Sequence, residues 1–106
     1  MSFEEDMRIQ FNVKKILLTY QCPSYKISQE EYTEWITNLS NNKNITLKRI
    51  CFVYKDNNVH VFLSWNQSFR STVHHIFTYR GIRPIMRKMH RGTHVNIVSK
   101  YLNIDI

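Results

Sequence analysis

The hydrophobic and polar positions of this chain follow two different periods, and each change of period marks a new element. Phe11 to Tyr20 (FNVKKILLTY) is rich in β-branched and aromatic residues and stops at Gln21-Cys22-Pro23, which predicts a strand. Ser28 with Glu31 three residues later is a capping-box pattern. Behind it Tyr32, Trp35, Ile36 and Leu39 fall at i, i+3, i+4 and i+7, one apolar face of a helix that Asn41-Asn42-Lys43-Asn44 ends. Ile45 to Tyr54 and Asn58 to Trp65 read as two more strands, joined as a hairpin by the polar turn Lys55-Asp56-Asn57. On the third strand period two turns Val59, Val61, Leu63 and Trp65 one way and Asn58, His60, Phe62 and Ser64 the other.

Residues 66–80 hold no clear period, and Val73 to Tyr79 fits a short helix or a strand equally well. Ile82 to Met89 reads as an edge strand, because Pro84 has no N–H to give a ladder. Gly92-Thr93 caps a closing helix over about His94 to Asn103, and residues 1–10 read as a loose leader. The order β-α-β-β-(mixed)-β-α predicts an α+β sandwich, an antiparallel sheet with helices packed against it. At 106 residues that is one domain with one modest core.

Charge narrows the choice of partner. The chain carries a net +7, and its eight carboxylates fall at Glu4, Glu5, Asp6, Glu30, Glu31, Glu34, Asp56 and Asp105. From Phe69 to Ile104 there are seven Lys or Arg and no acid. Such a stretch favours a polyanion, nucleic acid ahead of an anionic membrane surface. No apolar run approaches the length of a membrane span, so no membrane is expected as a partner. Two cysteines without CxxC spacing, Cys22 and Cys51, read as free thiols in a reducing intracellular compartment. Gly and Pro number two each, which excludes a glycine-rich phosphate loop. There is no GxSxG. His90 and His94 have a zinc-like spacing, but Gly92 between them breaks the helical turn that it needs.

Three separated segments then stand out. Ile16 to Pro23 (ILLTYQCP), Asn58 to Trp65 (NVHVFLSW) and Val98 to Asp105 (VSKYLNID) resemble, in order and spacing, the three motifs of the rolling-circle replication initiators (Rep proteins) of geminiviruses and circoviruses, members of the HUH endonuclease superfamily. The family forms are FLTYPQC, HLHVLIQF and VKSYIDKD. The resemblance runs from about residue 11 to the end of the chain. It implies a ferredoxin-like fold, a viral or mobile-element origin, and single-stranded or stem-loop origin DNA as partner. A second copy of the chain or a helicase domain stands as a further partner. The chain stops just past the third motif, where an excised nicking domain would end.

What the resemblance implies for chemistry is a transesterification. A tyrosine, here Tyr101, attacks a phosphodiester and keeps the 5′ phosphate, which stores the bond for rejoining. A manganese or magnesium ion polarises the phosphoryl oxygens. The first metal position of the second motif is Asn58 rather than histidine, leaving His60 as the one imidazole. A carboxamide oxygen is a weaker ligand than an imidazole for transition metals. The carboxylate that the family takes from the preceding strand aligns with Val53, which cannot ligate, and the assisting lysine aligns with Ile104. Lys100 lies about 100° round the helix from Tyr101 and projects elsewhere.

For nucleic acid the candidates are Lys14 and Lys15 before the first motif, and Arg80, Arg83, Arg87, Lys88 and Arg91 around the edge strand. Tyr20, Phe77 and Tyr79 lie among those charges and offer rings on which bases stack. Three readings stay open. The first is a Rep-fold DNA-binding domain with a degenerate nicking centre. The second is an active tyrosine-dependent nicking and joining endonuclease. The third is a non-catalytic structural or protein-interaction module with a Rep-derived fold.

Overall fold

A computed structural model describes residues 11–71 and 75–89. The leader, the closing helix with its Gly92-Thr93 cap, and with them Tyr101 and Arg91 lie outside the described residues. Among the described residues four strands, β1 (Phe11–Tyr20), β2 (Leu47–Lys55), β3 (Asn58–Ser71) and β4 (Ile85–Lys88), form one antiparallel sheet in the order β2-β3-β1-β4. One helix, α1 (Gln29–Asn41), links β1 to β2 after a 3-10 turn at Ser24–Lys26. This is an α+β architecture.

The predicted capping residue opens α1, since Ser28 Oγ accepts the Glu31 N–H at 3.4 Å. Glu30 and Glu31 sit in the first turn, where the helix dipole favours negative charge. Tyr32 and Ile36 are buried, with Trp35 and Leu39 packed beside them, as the helical period requires. They meet Ile16, Leu18 and Tyr20 of β1, Val59, Val61, Leu63 and Trp65 of β3, and Ile50 and Phe52 of β2. The predicted alternation of β3 therefore stands: one parity fills this core and the other faces away.

Two polar chains thread the core. The Trp65 Nε1–H donates to Ser40 Oγ at 2.8 Å, and Ser40 Oγ donates to the Ile36 carbonyl at 2.8 Å. The Tyr20 hydroxyl donates to the Phe77 carbonyl at 2.6 Å, so the Tyr32 hydroxyl, 2.7 Å away, donates to Tyr20. Burial pushes both phenols above the ordinary tyrosine pKa. Ser40→Ala is expected to destabilise the fold by about 1–3 kcal/mol, because the buried indole N–H loses its acceptor. Urea unfolding monitored by tryptophan fluorescence measures it, and an unchanged midpoint would mean that the pair contributes nothing.

Several boundaries differ from the sequence expectation. The β2–β3 turn is two residues, Asp56 and Asn57 at φ 55° and 61°, closed by the pair Lys55 and Asn58. Both residues are left-handed, the conformation of a type I′ hairpin, and Asp and Asn tolerate it better than most side chains. β2 starts at Leu47 rather than Ile45, because the Thr46 N–H is taken by the Asn66 side-chain oxygen at 2.8 Å. β3 runs on to Ser71, six residues past Trp65, which brings Phe69 into the core. Of the segment from Val73 to Tyr79, residues 73–74 lie outside the described residues, and residues 75–77 form a turn. Tyr79 and Ile82 then close a second tight turn around Arg80 and Gly81, both at positive φ. The edge strand is Ile85–Lys88 alone, and Pro84 lies just ahead of it, where its missing N–H is harmless. Cys22 and Cys51 are free. Among the described residues no helix is long and apolar enough to cross a membrane.

Candidate nucleic-acid interface

The register of the sheet decides what its second face, away from α1, presents. Thr19 pairs with His60 and with Ile85, Leu17 with Phe62 and with Arg87, Lys15 with Ser64. Across β3, His60 pairs with Val53, Phe62 with Cys51, Ser64 with Arg49 and Asn58 with Lys55. Strand parity puts all of these on one face. Its centre is a small buried apolar pair, Leu17 at 2% exposure and Phe62 at 3%, with Cys51, Val53 and Met89 packed against it. Around that pair stand Lys15, Arg49, Lys55 and Arg87. The strands hold two cations in β1, three in β2, one in β3 and two in β4, and no carboxylate in any of them. The carboxylates of α1, Glu30, Glu31 and Glu34, belong to the helix layer on the other side. Four of these cations, Lys15, Arg49, Lys55 and Arg87, share the second face, which concentrates positive potential there.

His60 lies half-buried beside the apolar pair, its Nδ1 at 3.0 Å from the Thr19 hydroxyl. Thr19 was not among the residues that the sequence singled out. It became visible only once β1 was paired with β3, 41 residues away. Burial lowers the His60 pKa from 6.5, against an opposing hydrogen bond that the ring donates to the Lys55 backbone and the charge of Asp56. The ring is therefore neutral at pH 7. Because the folded value is depressed, this residue lowers stability as pH falls below 6.5, and the loss is complete once pH is under the folded value. In His60→Gln that part of the acid dependence is expected to vanish, as seen in denaturant midpoints between pH 7 and pH 5. Parallel pH profiles for both proteins would contradict the assignment.

The metal positions do not fit a metal. Asn58 and His60 are two apart and share a face, but Val53, an aliphatic side chain, is the residue directly opposite His60. Among the described residues no three of His, Cys, Asp or Glu gather anywhere. Manganese and magnesium need carboxylate oxygens that this arrangement does not supply. Comparison with known proteins finds no matching family model, no similar curated protein and no matching solved structure.

The aromatic candidates need correcting. Tyr20 is fully enclosed, Phe77 likewise, and Tyr79 is 5% exposed, with Tyr32 and Trp35 against its ring. None of the three offers a face to a base. Among the described residues the most exposed ring is Tyr25, at 80%, with the Lys26 ammonium 5.7 Å from its centroid. It follows the end of β1 that holds Thr19. A sequence signal for it existed, an aromatic beside a lysine in a segment without apolar period.

The basic cluster also divides. Arg80 pairs with Glu31 on the α1 side and packs over Tyr79, away from the cations of the second face. Arg87 joins that face from β4, and Arg83 is exposed in the link before it. The Lys88 backbone lies opposite Ile16, and its side chain is outside what is described. Lys15 belongs to the face, whereas Lys14 is exposed at the irregularity between Val13 and Lys15.

Proposed function

We propose that this domain binds single-stranded or stem-loop DNA across the second face of its sheet, with a Rep-type fold whose nicking centre has lapsed. The observation that carries it is the second face of the sheet, where Lys15, Arg49, Lys55 and Arg87 gather around the apolar pair beside His60 and Thr19 and no strand carries a carboxylate. Phosphates contacting Lys15, Arg49, Lys55 and Arg87 would supply salt-dependent affinity with little sequence preference. Tyr25 would add base stacking at the end of β1. In support of the finer fold reading, β3 lies between β1 and β2 while α1 connects those two, the split β-α-β of a ferredoxin-like sheet.

Lapsed nicking rests on Asn58 and Val53, which leave His60 without the partners that a divalent ion needs. Labelled single-stranded and stem-loop DNA, titrated at low and moderate salt and read by fluorescence anisotropy, tests the binding. No binding at low salt rejects the proposal. The same oligonucleotides incubated with manganese and run on a denaturing gel test the chemistry. No covalent protein–DNA product is expected, and an adduct that disappears in Tyr101→Phe would instead establish a working nickase. The interaction-module reading is favoured if an acidic protein, and not DNA, occupies the basic face.

A further inference from the structure

A concavity at the far end of β3 has the chemistry of an anion site. It is lined by Asn42 and Lys43 from the turn after α1, by Ile45, and by Gln67, Ser68 and Arg70 of β3. An irregularity in the sheet creates it. Lys15 pairs with Ser64 and Val13 with Phe69, so residues 65–68 of β3 stand against Lys14 alone. The surplus backbone leaves the β1 ladder. Asn66 fastens it to Thr46 through bonds of 3.0 Å and 2.8 Å, and Gln67 and Ser68 follow on the rim.

The geometry points to this concavity as a binding site for a phosphate group. Two full positive charges meet there from elements 27 residues apart in sequence, Lys43 and Arg70. The Lys43 ammonium is held 5.4 Å from the centroid of the buried Phe69 ring, which fixes its position without neutralising it. Among the described residues neither cation pairs with a carboxylate, and none lines the site. Asn42, Gln67 and Ser68 add neutral donors, and the Arg70 guanidinium offers a planar fork suited to two oxygens of one phosphate. The negative end of the α1 dipole opposes an anion here, but its carbonyls are largely taken. Asn38 accepts from the Asn42 N–H, Ser40 from Lys43 and Ile45, and Asn41 from Asn44. A residual fraction of one charge stands against two whole ones.

The site is separate from the second face. His60 and Arg70 pair with Thr19 and Asn12 of β1, seven residues apart, about 23 Å at the rise of an extended strand. The phosphate is either a free ion or a diester of a polynucleotide backbone, and the two sources are distinguishable. Backbone amide shifts of the full chain are followed during titration with inorganic phosphate, with chloride at matched ionic strength as control. Saturable shifts at Lys43, Ser68 and Arg70 are expected, and these are lost in Lys43→Gln/Arg70→Gln and reduced in Arg70→Gln alone, a variant that keeps the Lys43–Phe69 contact. A second arm measures a single-stranded oligonucleotide against salt. If the double variant loses about 1.4 from the slope of log K against log salt, near 0.7 for each contact, the ligand is a backbone diester. If the double variant has lost the phosphate shifts but binds the oligonucleotide as the parent does, the ligand is a free phosphate. Shifts that never saturate, or that survive unchanged in the double variant, overturn the site. That result would leave DNA binding by the second face untouched.

Discussion

Removing three cations from the sheet face, as Lys15→Gln/Arg49→Gln/Arg87→Gln, is expected to weaken single-stranded DNA binding about 100-fold near 0.1 M salt. The magnitude follows from counterion release, which contributes about 0.7 log units of affinity per neutralised phosphate at that salt concentration, and three contacts contribute about two. The salt slope should fall by about 2 in the same titration. Arg80→Gln is the internal control. It breaks the exposed pair with Glu31 and removes as much charge as each of the others, yet lies on the helix side. If it weakens binding as much as Arg87→Gln does, net charge alone drives association and the face has no special part. If the triple variant binds as tightly as the parent, the DNA lies elsewhere.

Trp65→Ala is expected to be the most damaging single change to the fold, at about 3–5 kcal/mol. The side chain is fully buried, stacks on Phe77 at 6.2 Å and lies against Phe69 at 4.9 Å between ring centroids. Its loss leaves a cavity and strips Ser40 of the indole donor. A domain of this size has about 5–15 kcal/mol in total, so the variant should be largely unfolded at moderate temperature or close to it. Circular dichroism melting reads this directly. Trp65→Phe keeps most of the volume and should recover more than half of the loss. A melting temperature in Trp65→Ala within a few degrees of the parent would contradict the packing described.

Local period made the elements legible in the sequence, and distant pairing did not show. β1, α1 and the alternation of β3 are set by neighbours within one or two turns of chain, and they fall where the residue pattern puts them. Tyr20 reads as a stacking ring only through Lys14 and Lys15 earlier in the same strand. Its parity with Ile16 and Leu18 carried the contrary signal, and the strand followed parity. Phe77 and Tyr79 had no period to guide them, since two tight turns, rather than a helix or strand, carry them into the core. Thr19 and Val53 became neighbours of His60 only through the order of the strands, which no local window contains. The concavity at Lys43 and Arg70 depends on a register shift, and residues 66–71 offer no pattern that marks one.

The position of β1 in the sheet has a consequence for how the chain is made. Both strands that flank it, β3 and β4, are translated after it. A growing chain must therefore carry Ile16-Leu17-Leu18 with two unsatisfied edges until Asn58 and the residues beyond it have left the ribosome. During that interval β1 is prone to pair with another nascent copy. Lys14 and Lys15, placed directly before the apolar run, repel such a copy, so the same lysine that faces the solvent side of the finished sheet also guards the strand during synthesis.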